Sequence, residues 1–305
     1  MAAPALDFKS AIEQFDGILN FRDVGKTVND FMGRKYMKEG VLYRSARPDE
    51  ASNHDIDRLR QDYGIKTVMD LRTKTEQLKQ NDKLNTTAAT ANSAVPAIAR
   101  RRSSVAVPLQ IPGLDCVQCP VTGWRFEMAL LRRLALWDLL KFAFLFIFGR
   151  RVPAIRLLTK KIILPLGLIG STTLGVRVSR REYLLSFRTV AKASNEPLLI
   201  HCTAGKDRTG AMIILILLLC EVPLEAIEHD YFVTSESGAL ESEWEERLKE
   251  LAEFGFPEDW LGTPLDFVRD LISFIDHEWG SMDGYCSFIG FGSDERAQLR
   301  ECLWA

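Results

Sequence analysis

Nowhere in the 305 residues do eighteen uncharged apolar residues run together, although 47% of the chain is hydrophobic. A helix crossing a bilayer is therefore not expected, and the apolar residues suffice for the core of one large domain or two small ones. Cysteine is sparse. Six residues, at 116, 119, 202, 220, 286 and 302, lack the density of a disulfide-stapled secreted domain, so free thiols in a reducing compartment are expected. Histidine is sparser still, and His54, His229 and His277 have no metal-ligand spacing and read as surface polar residues; no metal or other cofactor is expected. The opening MAAPALDFKSAIE lacks the basic start and apolar stretch of a secretory leader, which leaves a cytoplasmic location as the expectation. No internal repeat is apparent, and a nucleic-acid partner is not expected.

Net charge is also small, at −2, but the charges are separated along the chain. Residues 121–180 hold eleven Lys/Arg against Glu127 and Asp138, whereas residues 221–305 hold 21 Asp/Glu against five Lys/Arg. Such blocks give a surface a preferred sign toward partners and say nothing of fold. Fold is read from periodicity instead. Residues 41–44 (VLYR) and 65–72 (IKTVMDLR) read as strands. Tyr183, Leu184, Phe187, Val190 and Ala191 stand at helical spacing, Asn195 and Pro197 stop that helix, and residues 198–201 follow as a buried strand. The ten apolar residues 211–220 suit a helix buried at a domain's centre. The pattern is α/β: a mostly parallel sheet flanked by helices, one domain over 1–305, with an insertion at 81–180. Within it, 81–104 reads as a flexible loop and 124–170 as helical.

Between the strand and the buried helix stands HCTAGKDRTG, 201–210, at the carboxyl end of a strand where open α/β sheets bind ligands. A cysteine followed by five residues and an arginine can capture phosphate. Backbone N–H groups wrap the oxyanion, the helix start faces it, and the guanidinium clamps two oxygens. The same field turns the thiol into a thiolate nucleophile. Spacing alone decides nothing, because Cys119–Arg125 has it too and about half a match is expected by chance. That copy is expected to lack a buried-strand entry, and it continues Phe126-Glu127 where the first continues Thr209-Gly210; it reads as coincidence. Cys116 and Cys119 alternate along a strand and are not expected to pair on a metal.

HCTAGKDRTG resembles the signature loop of cysteine-dependent protein tyrosine phosphatases, and more narrowly an atypical branch that includes bacterial secreted tyrosine and lipid phosphatases. FDGILNFRDVG (15–25), LYRSA (42–46), VMDLR (68–72) and GYCSFIGF (284–291) agree in order, so the resemblance spans most of the chain outside 81–180. The chain departs from the branch at Lys26, where a second glycine is common, and it has no Trp-Pro-Asp loop to supply a general acid.

The resemblance implies a phosphoric monoester hydrolase working through a cysteinyl-phosphate. Cys202 would attack phosphorus, Arg208 would hold the equatorial oxygens, and Thr203, Ala204, Gly205, Lys206 and Thr209 would surround the phosphate. Asp70 or Asp207 would be the general acid, with an ion pair to Arg72 as the competing reading of Asp70. Arg22-Asp23 would support the loop from beneath or form a turn. Lys206 and Asp207 are similar to residues in the loops of phosphoinositide phosphatases, so phosphotyrosine protein and phosphoinositide are both expected substrates. Residues 124–170, basic and rich in Trp, Phe and Leu, form either a helical lid or an element docking on an anionic membrane surface, in which case the protein is peripheral to the membrane. A different class of function, a non-catalytic phosphate-binding module of the same fold, stays open. Sulfur transfer and arsenate reduction are opposed by Thr209-Gly210.

Overall fold

The computed structural model describes residues 8–80, 110–193 and 196–305. The expected flexible loop, 81–104, and Asn195 lie outside the described residues. Among the described residues five strands form one sheet in the order β1-β2-β5-β3-β4: β1 (Arg22–Asp23), β2 (Leu42–Ser45), β3 (Thr67–Asp70), β4 (Asp115–Gln118) and β5 (Leu198–His201). Only β1 runs antiparallel to its neighbour; the other pairings are parallel. A strand between two parallel neighbours is covered on both faces and reads as a continuous apolar run, which is why Leu198-Leu199-Ile200 ends fully buried at the sheet's centre. The parallel register sets Ser45, His201, Asp70 and Gln118 side by side at one edge of the sheet.

Helices follow the strands. α1 (Val24–Met32) and α2 (Asn53–Gln61) flank the first half, and α3 (residues 74–80) leaves the end of β3. After β4 come α4 (Trp124–Leu131), α5 (Leu136–Ile147), α6 (Arg151–Leu158), a π turn (Thr159–Ile163) and α7 (Leu164–Val178). α8 (Arg180–Val190) leads into β5, and α9 (Asp207–Leu219) leaves it. α10 (Leu224–Glu236), α11 (Trp244–Phe254), α12 (Phe267–Trp279), α13 (Met282–Ile289) and α14 (Ser293–Leu303) complete the cover. α9 is the expected central helix, with Thr209–Leu217 and Leu219 buried against the sheet and α10, α12 and α13.

The expected insertion needs a correction. Its first part contains β4, which pairs along the whole of β3 and belongs to the main sheet, so the excursion from the fold is the helical run Trp124–Val178. Among the described residues no single helix is long and apolar enough to cross a membrane; one pair, Arg151–Val178 with Arg180–Val190, passes by length and composition but is bent by 81°. His229, expected at the surface, is half-buried and stacks on Phe31 at 4.4 Å between ring centroids.

Candidate active site

Cys202 follows β5 directly, and α9 begins five residues later, so residues 202–206 turn within a short loop. Three successive carbonyls of that loop are taken from outside. Arg47 N–H donates to Thr203 O at 3.2 Å. Asn20 Nδ2 donates to Ala204 O and to Gly205 O, both at 3.2 Å, and Arg44 Nη2 donates to Gly205 O at 2.8 Å. The described peptides are all trans, so each N–H points opposite its carbonyl, and the N–H groups of Ala204, Gly205 and Lys206 face the inside of the loop. Gly205 adopts φ +65°, and a Cβ there would stand 2.2 Å from Ser45 O. Only glycine fits.

A buried polar frame fixes the donors. Asn20 holds φ 56°, a conformation asparagine tolerates better than most residues. Arg22 Nε donates to Asp230 Oδ1 at 3.0 Å, and Arg22 Nη2 donates to Asp230 O at 2.7 Å and to Thr234 Oγ1 at 3.1 Å. Arg22 Nη1 donates to Asn20 Oδ1, and Arg44 Nη1 to Asp230 Oδ2. Both arginine side chains are fully buried. Burial would raise Asp230, but the charges of Arg44 and Arg22 and their hydrogen bonds bring it below its ordinary range. Arg22 of NFRD thus supports the loop from beneath, while Asp23 caps α1 by accepting from Lys26 N at 3.1 Å.

Arg208, the second residue of α9, meets an acid that the sequence reading did not single out. Its Nη1 donates to Glu76 Oε2 at 2.7 Å and its Nη2 to Glu76 Oε1 at 2.6 Å. Thr203 Oγ1 donates to the same Oε1 at 2.9 Å. Burial works to raise Glu76, yet the charge of Arg208 and these bonds hold it down at about 2. Glu76 also accepts from Thr73 N and Thr73 Oγ1, both at 2.9 Å, at the start of α3. Arg208 Nη1 lies 3.5 Å from Thr122 Oγ1, on the loop that opens the insertion. Nη2 also donates to Thr203 Oγ1 at 3.3 Å, and Nε takes part in none of these bonds, which leaves Nε of the guanidinium to meet an oxyanion.

The remaining expected residues divide. Cys202 is 2% exposed and Thr209 is fully buried, its hydroxyl without a hydrogen-bond partner among the described residues. Lys206 does not turn toward the phosphate position. Its ammonium donates to Trp260 O at 3.2 Å and Gly262 O at 2.5 Å and sits 3.0 Å from Asp207 Oδ1. Two carbonyls and an ion pair hold the ammonium, so Lys206 serves the loop through its backbone N–H. Asp70 is enclosed: it accepts from Arg72 N at 2.9 Å, Arg72 Nη2 at 2.9 Å and Gln77 Nε2 at 3.0 Å, and Arg72 turns its other edge to Asp49. Burial acts to raise Asp70, while the charges of His201 and Arg72 and the Arg72 bonds bring it below the usual range. Burial lowers His201 itself, so Arg72 carries the effect near neutrality. The ion-pair reading of Asp70 therefore describes its geometry, whereas Asp207 keeps a side chain 32% exposed.

The second Cys-x5-Arg stretch follows an edge strand, β4, none of whose residues is buried, and leads into a helix, α4. Its chemistry differs: burial pushes the Cys119 thiol up to about 11, and Arg125 Nε stands 3.9 Å from Glu182. Asp16, His54 and Asp55 are spatial neighbours whose ligand atoms lie within 4.8 Å of one another, but Asp55 already caps α2 and accepts from Asp16 N and Gly17 N.

A strand–loop–helix turn around a cysteine and an arginine, with backbone N–H groups on its inner side, suits an oxyanion, and sequence comparison gives a class. The model of the tyrosine phosphatase family matches residues 13–115 and 171–305, and the chain belongs to that family of phosphoric monoester hydrolases. It is similar to a tyrosine-protein phosphatase of Nostoc commune, 28% identical over 40% of this chain and 44% of that protein. A protein of Cupriavidus necator, provisionally named a tyrosine-protein phosphatase, is 28% identical over 89% of this chain and 81% of its own length. A triple specificity protein phosphatase of Mycobacterium tuberculosis is 24% identical over 36% of this chain and 45% of that protein. The chain thus spans less than half the length of two of these three relatives.

Proposed function

We propose that the chain hydrolyses phosphate monoesters, on phosphotyrosine in protein and on phosphorylated inositol lipid, through a cysteinyl-phosphate on Cys202. One observation carries the reading: three loop carbonyls are held from outside, so three N–H groups converge beside a cysteine at the start of a buried helix. Cys202 Sγ bonds to phosphorus as the bond from phosphorus to the ester oxygen breaks. The leaving oxygen takes a proton from Asp207. Water then attacks phosphorus, Asp207 takes its proton, and the S–P bond breaks to return thiolate and inorganic phosphate. Charge spread over the three equatorial oxygens meets the loop N–H groups and Nε of Arg208. The unpartnered Thr209 hydroxyl is available to the sulfur when it becomes the leaving group.

Support for a lipid substrate is separate: the likeness of the loop to those of phosphoinositide phosphatases, and an insertion that starts at the mouth of the site. The test is phosphate release over phosphotyrosine peptides and a phosphoinositide panel, with acid-quenched protein assayed for bound phosphate from a labelled aryl phosphate. Label on the wild type and none on Cys202→Ser is expected. Cradle occupancy by inorganic phosphate without turnover of any substrate would make the chain a phosphate-binding module instead.

A further inference from the structure

We propose that the outer face of the insertion docks on an anionic phospholipid bilayer and holds the Cys202 site at its surface. α5 reads LWDLLKFAFLFI, yet none of its residues is buried; α9, of similar apolarity, has ten buried residues. Its inner side, with Leu139 and Phe142, packs on a small core with Phe126, Leu130 and Leu158. Its outer side presents Trp137 at 82%, Leu140 at 52%, Phe144 at 60% and Ile147 at 78% exposure, with Phe148 just beyond. Of the twelve large hydrophobic residues exposed in the described chain, eight fall within 124–148. Scattered exposed leucines need no explanation, whereas a contiguous aromatic face does.

Charge selects the occupant. Residues 124–161 carry nine Lys/Arg against Glu127 and Asp138, and Asp138 is already paired with Lys161 at 3.2 Å. Arg132, Arg133, Lys141 and Arg150 are exposed and make no ion pair among the described residues. A second copy docked through a twofold axis would bring like charge against like charge. A surface of anionic headgroups over an apolar layer matches both the cations and the aromatic side chains between them.

The face is tied to the site. Thr122, beside Arg208, is two residues from Trp124, which starts α4 and is 71% exposed. From the other end, Arg156 of α6 donates through Nε to Glu253 O of α11 at 2.6 Å. The same helix brings Glu246 and Glu250 to within 3.5 Å of Arg47, whose N–H holds Thr203 O. The matched family residues stop at 115 and resume at 171, so this face is an addition to the shared fold. The inference rests on the proposed activity only where it brings a lipid substrate to Cys202.

The test is co-sedimentation of the full chain with phosphatidylcholine vesicles, and with vesicles in which one quarter of the lipid is phosphatidylserine, alongside turnover of a soluble aryl phosphate. Binding to the anionic vesicles alone, weakened by salt, is expected. Arg132→Gln with Arg133→Gln should weaken it about 30-fold, about 1 kcal/mol for each cation. Trp137→Ser with Phe144→Ser should abolish it while leaving soluble turnover within about twofold. Equal partition to both vesicles, or to neither, overturns the proposal. A dimer in sedimentation velocity that Trp137→Ser dissolves overturns it in favour of a second copy, and soluble turnover that changes with α5 overturns it in favour of a lid. Cys202→Ser should bind vesicles like the wild type, so failure of the docking and failure of the activity are read separately.

Discussion

Two stretches of this chain share one spacing and one local context. Cys202–Arg208 and Cys119–Arg125 each leave the end of a parallel strand and enter a helix in which the arginine is the second residue. They differ in what lies around them. The first rests on Asn20, Arg22, Arg44 and Asp230, which are buried and joined by hydrogen bonds. In the second, Val121 O accepts from Ser179 Oγ at 2.6 Å and Pro120 O from Gly123 N at 2.8 Å, an ordinary turn against α8. The first arginine has a two-toothed carboxylate partner at 2.6 and 2.7 Å, the second a single contact at 3.9 Å. A loop with its N–H groups turned inward therefore depends on the frame that turns its carbonyls outward, and spacing alone does not build one.

The strongest way to break the comparison is to exchange the thiols. Cys202→Ser should lower kcat by roughly 10⁴-fold or more, as removal of a nucleophile does elsewhere. Cys119→Ser should leave kcat within about twofold, because a buried thiol raised to about 11 is no nucleophile near neutrality. A comparable loss at Cys119 would show that the working loop is the other one.

Next come the frames. Asp230→Ala leaves Arg22 and Arg44 buried without their counter-ion, and breaking such a pair costs about 3–5 kcal/mol. Glu182→Ala removes only a partly exposed contact beside Arg125, worth about 1 kcal/mol or less. Urea midpoints of the two variants should differ accordingly, and equal midpoints would remove the frame from the argument. Within the working loop, Asp207→Asn should cost about 10²-fold with a poor aryl leaving group and much less with a good one, the signature of a general acid. Asp70→Asn should lower stability and show no such dependence on the leaving group, since its carboxylate is engaged by Arg72 and Gln77. The opposite pattern would return the acid to Asp70.

Most of the Cys202 loop was legible because its pattern is local. Strand, cysteine, glycine, arginine and buried helix occupy a run of about two dozen residues, and the central strand announced itself by an apolar run that only a sheet interior accommodates. The Cys119 copy lacks that run: β4, which leads into it, is an edge strand with no buried residue. The side-chain direction of Lys206 was illegible: its partners, Trp260 and Gly262, come from over fifty residues away. Glu76 was hidden for a different reason. Thr73-x-x-Glu76 reads locally as a helix-capping box, and it is one. Nothing in its neighbourhood names a partner 132 residues downstream.

That double duty gives the smallest and most discriminating effect. Glu76→Gln keeps the shape and an acceptor but loses the charge that fixes the Nη end of Arg208. A charge-assisted bond contributes about 1.5–3 kcal/mol, so kcat should fall about 10- to 100-fold with soluble substrate. The stability effect has a definite sign. Glu76 is held at about 2 against an ordinary 4.5; a carboxylate depressed on folding stabilises above its unfolded value and loses that contribution as pH falls toward the folded one. Wild type should therefore be more stable than Glu76→Gln above pH 4.5, with the gap narrowing between 4.5 and about 2. A gap that is constant across that window would mean the carboxylate's charge plays no part, and that Glu76 acts on Arg208 through shape alone.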